Sequence, residues 1–225
     1  PVDIQTALTV LGRRKNTYNN GESGNLDLTN TCLGKAELEG ANLEGAYINL
    51  AHLEGATLDG AHFEGAHFLD ANLDFAWLEG THLEQADLRG ASIKRAELTG
   101  AYLLDAHLEG ASLEHAFLEK VHLNRADMIL TCFKDAYLPK VDIREANLVY
   151  ANFRGAWLEE ADLRGTNLEE ADFEGAILEG ASFIGAKNLK IDQLSKAKTL
   201  YNAKLDPELE KSLREMYPAL FEKPR

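Results

Sequence analysis

The sequence predicts an all-β solenoid, and three observations predict it. A large apolar residue recurs at every fifth position without a slip from Leu28 to Phe183, 32 times in succession. With that residue taken as position i, Ala fills position i−2 in 25 of the 32 repeats. Of the 18 glycines in the chain, 14 stand at i+2. Ala, Leu and Glu favour helices in isolation. A helix, however, turns about 500° over five residues, so successive i side chains would encircle its axis and leave no stripe to bury. Short extended pieces joined by corners avoid this. Positions i−2 and i then share the inner face with i−1 pointing outward between them, and i+1 with i+2 make a corner where Gly suits unusual backbone angles.

Each position of the repeat follows from that geometry. All 32 i residues are apolar, 22 of them Leu and the rest Ile, Met or Phe. They fill the tube, while small Ala at i−2 lets adjacent walls approach. Repeats such as Ala41-Asn42-Leu43-Glu44-Gly45 and Ala161-Asp162-Leu163-Arg164-Gly165 closely resemble the A(D/N)LXX motif of the pentapeptide-repeat family. The resemblance covers residues 26–186 and implies a right-handed quadrilateral β-helix with four pentapeptides per coil. Two internal echoes support four sides. Phe133, Phe153 and Phe173 recur at intervals of 20, as stacked rings in one wall would, and the Thr31-Cys32 pair is repeated 100 residues on by Thr131-Cys132. Thirty-two repeats then make 8 coils, a rod of roughly 38 Å at ~4.8 Å per coil.

Open solenoid ends expose core and unpaired edges, so caps are expected. Residues 1–25 are read as an N-terminal cap, with a short helix over 3–11 started by Asp3 and a polar connector over 12–25. The repeat register breaks at Asn188, and residues 187–225 are read as a C-terminal helical cap. Within it, "IDQLSKA" suits a helical turn. Asp206-Pro207-Glu208 starts a helix that carries Leu209, Leu213 and Met216/Tyr217 at helical spacing before Pro218 stops it.

Composition narrows the function classes. A net charge of −14 argues against direct nucleic-acid binding, which needs clustered Lys and Arg, and permits a basic partner. No apolar run of some 18 residues exists to span a bilayer. The chain begins at Pro1 rather than Met, the pattern of a fragment or processed form. The flanking stretches "VDIQTALTVLGRR" and "AKTLYNAKLDPELEKSLREMYP" are similar to segments bordering the repeats of bacterial pentapeptide-repeat proteins, some with membrane helices upstream. Membrane attachment is thus expected only through a segment absent from this chain. Cys32 and Cys132 lie five coils apart on one wall, too far for a disulfide, and two free thiols favour the cytoplasm.

Because the tube is filled, function is expected in the outward columns. One i−1 column carries Trp77, Phe117, Tyr137, Trp157 and Ile177, an apolar stripe suited to a partner and equally to mutual stacking. A second patch, Ile129 and Leu130 beside Val149 and Tyr150, occupies corner positions on the opposite wall. His62, His82 and His122 share a further column with Tyr102 between them. A linear ladder supplies too few convergent ligands for zinc, so no metal is expected. Acidic corners such as Glu39, Asp59, Glu79, Glu119, Glu159 and Glu179 lack the cleft that acid–base chemistry needs. No nucleophile elbow, phosphate loop, dinucleotide fingerprint or zinc-protease motif occurs, so neither catalysis nor a cofactor is expected. The leading expectation is a non-enzymatic interaction or scaffold module with an unidentified protein partner. The resemblance implies an alternative: an acidic DNA mimic that binds DNA gyrase, as fluoroquinolone-resistance members of the family do. It also offers the 205–220 helix as a homodimer contact.

Overall fold

In the computed structural model, which describes residues 26–224, the chain winds into a square solenoid. The N-terminal helix expected over 3–11 and its connector lie outside the described residues. Every i−1 residue pairs in parallel with the residue 20 positions later, from Asp27 with Tyr47 through to Asn167 with Lys187. An offset of 20 is four pentapeptides, so each coil has four sides. The pairing is one bridge per side: the N–H of Leu58 donates to the Trp77 carbonyl at 2.7 Å, and the N–H of Trp77 to the Ala56 carbonyl at 2.9 Å.

The corners obey one rule. At each of them the i carbonyl accepts the N–H three residues on, as Leu43 does from Ala46 at 3.0 Å. All 32 i+2 residues have positive φ, glycine or not, the pattern a β-turn takes when its third residue is left-handed. Gly60, at φ 61° with open space where a Cβ would stand, shows why glycine dominates there.

A hydrogen-bond census of the repeat explains the Asn or Asp at i−1. The N–H groups of i−2, i−1, i and i+2 are taken by the backbone, which leaves that of i+1. Where i−1 is Asp or Asn, its side chain accepts this last donor at all but Asn147, as Asp27 does from Thr29 at 2.9 Å and Asn72 from Asp74 at 3.0 Å. At a few other corners a residue of the neighbouring coil does so: Asp59 accepts from Glu79 at 2.8 Å and Asn49 from Leu69 at 2.9 Å.

Inside, the i residues and the alanines form one continuous core, almost all of it closed to solvent. Phe133, Phe153 and Phe173 stack in one wall as their spacing predicts, with centroids 4.9 and 5.2 Å apart. Thr81 and Thr131 replace Ala at fully buried positions, and their hydroxyls donate to the carbonyls of Leu58 and Leu108 at 2.9 and 2.7 Å.

Beyond Lys187 the offset lengthens to 22 residues, Ile177 pairing with Thr199 and Ser182 with Lys204. The two extra residues belong to a last coil that contains a single helical turn, α1 (Ile191–Leu194). Gln193 of α1 is buried and plugs the tube: its amide donates to the carbonyls of Leu168 and Ala171, both at 2.8 Å. The helix α2 (Pro207–Met216) follows, with Pro207 at its first position and Leu213 fully buried. Asp206 precedes α2 as expected, but its carboxylate accepts the N–H of Gly185 at 3.1 Å rather than capping the helix. Met216 and Tyr217, read as part of the apolar face, are exposed. A 3₁₀ turn (Pro218–Phe221) brings the Leu220 carbonyl to the N–H of Leu200 at 2.7 Å, completing the closed end. No helix among the described residues is long and apolar enough to cross a membrane.

Candidate functional site: the aromatic wall

Each wall presents one i−1 column, its members held one coil apart by the parallel bridges. On the wall of interest the bridges run Phe117 to Tyr137 to Trp157 to Ile177. Trp77 stands in the same column, separated from these four by Glu97. Trp77, Phe117 and Trp157 are exposed at 55%, 48% and 45%, large values for rings of this size. Tyr137 and Ile177 are half-buried.

Ring orientation distinguishes this column from the histidine column. His62, His82, Tyr102 and His122 lie face to face, with centroids 4.7–5.1 Å apart and planes within 5–9°. Those faces cover one another. Phe117 and Tyr137 are instead 6.4 Å apart and tilted by 59°, and Tyr137 and Trp157 are 6.2 Å apart and tilted by 54°. The histidine column thus stacks face to face and the aromatic wall packs edge-on, both of them geometries that aromatic pairs favour.

The histidine ladder is a stack rather than a coordination sphere. Ligand atoms of His62, Glu64 and His82 lie within 4.8 Å of one another. His62 Nδ1 is engaged by Glu64 at 3.0 Å, and His82 Nδ1 by Glu84 at 3.2 Å. Each ring thus already meets a carboxylate at Nδ1 and a neighbouring ring across its face.

The acidic corner column borders the aromatic wall. Its run of glutamates is broken at Pro139, which is buried. Pro suits the second position of such a turn, and its short ring leaves a depression of about 310 Å³ between Tyr137 and the carboxylates of Glu119, Glu159 and Glu179. Glu119 pairs with Lys120 at 2.9 Å. Glu159, Glu160 and Glu179 make no ion pair or side-chain hydrogen bond with a described residue. A second groove, of about 420 Å³, continues past Ile177 to Thr199 and the C-terminal segment.

The second patch is also assembled. Leu130 and Tyr150 are exposed at 63% and 54%, and the N–H of Leu130 donates to the Val149 carbonyl of the next coil at 2.9 Å. Ile129 and Val149 are half-buried beside them. Sequence reasoning missed Leu50 and Leu69 on the same edge, and Phe75, which carries Arg95 over its ring at 5.7 Å. The signal was present: each is an apolar residue at a corner position.

Both cysteines are free thiols among the described residues. Burial pushes the Cys132 thiol up in pKa, which works against thiolate formation.

Comparison with known proteins agrees with this geometry. Two structures of trypsin-treated variants of QnrB1, a plasmid-mediated fluoroquinolone resistance protein, resemble it in fold. One has a TM-score of 0.73 at 20% identity, covering 87% of this chain and 98% of that one. The other has a TM-score of 0.65 at 21% identity, with coverage of 86% and 96%. HetL, a pentapeptide repeat protein involved in heterocyst differentiation regulation in the cyanobacterium Nostoc, is 28% identical over 80% of this chain and 84% of its own, with a TM-score of 0.40. No curated protein sequence matches the chain. The family described as pentapeptide repeats matches in 8 copies whose segments run from residue 46 to residue 187. That is more than half of the sequence, and the chain therefore belongs to the pentapeptide-repeat family.

Proposed function

We propose that this protein is a non-enzymatic interaction module, built on a right-handed square solenoid, that engages a protein partner through its aromatic wall. In this reading residues 26–186 form the working body and residues 187–225 its cap. The observation that carries it is the exposure of Phe117 and Trp157 on either side of the half-buried Tyr137 in one column. Contiguous exposed rings of this kind are the usual anchors of interfaces.

The second patch, at Leu130 and Tyr150, supplies the control. With the protein immobilised, Trp157→Asp with Tyr137→Asp should keep the fold by circular dichroism and lose the captured partner. Leu130→Asp with Tyr150→Asp should keep both. Capture that survives the first pair and fails with the second would move the site to the opposite edge.

The DNA-mimic reading calls for long runs of free carboxylates. Here Arg89, Arg144 and Arg164 pair with Asp87, Asp142 and Asp162 at 2.6–2.7 Å and interrupt two of the four walls. Supercoiling by DNA gyrase, with and without a quinolone, should accordingly be unchanged by micromolar protein.

A further inference from the structure

The C-terminal segment is anchored as far as Phe221. The Leu220 carbonyl accepts from the Leu200 N–H at 2.7 Å, and Arg214 lies over the Phe221 ring at 4.1 Å. Beyond it the backbone turns extended at Glu222, with φ −75° and ψ 149°. Glu222, Lys223 and Pro224 are exposed, and the side chains of Glu222 and Lys223 make no ion pair or hydrogen bond with a described residue. These residues form one side of the groove of about 420 Å³ at the foot of the aromatic wall. Ile177, the last member of the apolar column, forms the other side, with Glu159, Glu179 and Lys198 around it. Each charge of the segment thus has its opposite in the same groove, Lys198 for Glu222 and the two glutamates for Lys223. Three extended residues span ~10 Å, the height of two coils, enough to run along the column from Ile177 to Trp157.

We propose that residues 222–224 are a strap that closes over the Ile177 end of the aromatic wall, so that a partner has to displace it. This rests on the interaction-module reading and adds its regulation. Closure covers Ile177 with Pro224 and the stem of Lys223, which removes apolar surface from water. It also brings the opposite charges together, and the tether at Phe221 keeps their effective concentration high. Exposed ion pairs are individually weak, so the strap is closed for only part of the time. A wall that stands free for about a third of the time binds its partner about threefold more weakly than one always free. Salt screens exposed pairs and opens the strap.

Closure is read on the isotope-labelled chain without any partner. In about 20 mM salt, nuclear Overhauser contacts should join Lys223 and Pro224 to the Ile177 methyl groups, and in about 0.5 M salt they should fade. Glu222→Lys with Lys223→Glu exchanges the two charges at constant net charge and should abolish the contacts. Adding Lys198→Glu with Glu179→Lys should bring them back. In the capture assay, a chain that stops after Phe221 keeps the anchors at Leu220 and Phe221 and should retain about threefold more partner below saturation. Absence of the contacts, with Ile177 and Glu179 amide shifts the same in the shortened chain, would overturn the strap. Contacts accompanied by equal capture with both chains would overturn its competition with the partner. Contacts without capture by either chain would sink the interaction-module reading and leave the strap standing.

Discussion

The rings of Phe133 and Phe153 lie face to face, 4.9 Å between centroids and 3° between planes. Phe173 repeats the relationship beneath Phe153 at 5.2 Å and 5°, and Phe183 meets Phe173 edge-on at 5.8 Å. Phe153 is therefore covered on both faces and closed to solvent. Phe153→Ala should lower the unfolding free energy by about 3–5 kcal/mol. Leu occupies most i positions of this core, so Phe153→Leu should cost about 1 kcal/mol. Urea titrations followed by circular dichroism measure both.

The left-handed corners give an opposed pair of expectations. Leu130 holds φ 59° with its side chain 63% exposed, a conformation that costs an ordinary residue about 1–2 kcal/mol. Leu130→Gly removes that strain and adds back unfolded-state freedom of about 0.4–1 kcal/mol, so stability should rise by up to about 1 kcal/mol. Gly60→Ala meets no atom within 4 Å yet should lose about 1 kcal/mol from its backbone angle alone. A fall in stability for Leu130→Gly would show that its side chain contributes packing that outweighs the strain.

Gln193 is the polar plug of the C-terminal end. Gln193→Leu leaves the Ala171 carbonyl buried without its side-chain donor and the Leu168 carbonyl with the Ala171 N–H alone, at about 1–3 kcal/mol for the orphaned group. Hydrogen exchange should accelerate first in residues 168–205, with the coils around Phe63 protected as before.

Acid should loosen contacts between coils. The Arg125 guanidinium, two-pronged across one coil boundary at 2.7–2.8 Å, holds the Asp105 carboxyl below the usual carboxylate range, and partial burial opposes it. Arg89 does the same for Asp87 within one corner. A pKa lower in the folded than in the unfolded chain stabilises above the ordinary carboxylate value, ~3.9, and the benefit disappears as pH falls through the folded value. The urea midpoint should stay level from pH 7 to 5 and drop below pH 4. Asp105→Asn should make that drop shallower, with a small change at neutral pH because the pair is exposed.

Much of this was legible in the sequence because the determinants are local and periodic. The five-residue register alone specifies the core from Leu28 to Phe183, the corners, and the column that holds Trp77, Phe117, Tyr137, Trp157 and Ile177. The bounds of α2 followed from Asp206, Pro207 and Pro218. Less local features were hidden. The i−1 Asn and Asp read as outward polar filler, whereas the structure gives them the one backbone donor the solenoid leaves unpaired. Gln193 read as a helical residue, although its role depends on carbonyls more than 20 positions earlier. Ring tilt along the aromatic wall and the furrow at Pro139 depend on side chains of neighbouring coils, which no single repeat encodes.

The constant offset of 20 between bridged residues makes position on this rod a matter of counting. Loss of a single pentapeptide, for example residues 106–110, would leave every corner and every core contact type intact. Everything downstream would nevertheless rotate by a quarter turn: Phe117 would come to rest beneath Ser92, and Trp77 would be stranded alone on its face. Loss of four pentapeptides would only shorten the rod. Among descendants of such a sequence, insertions and deletions in multiples of 20 keep the aromatic column in line, and those of 5, 10 or 15 scatter it.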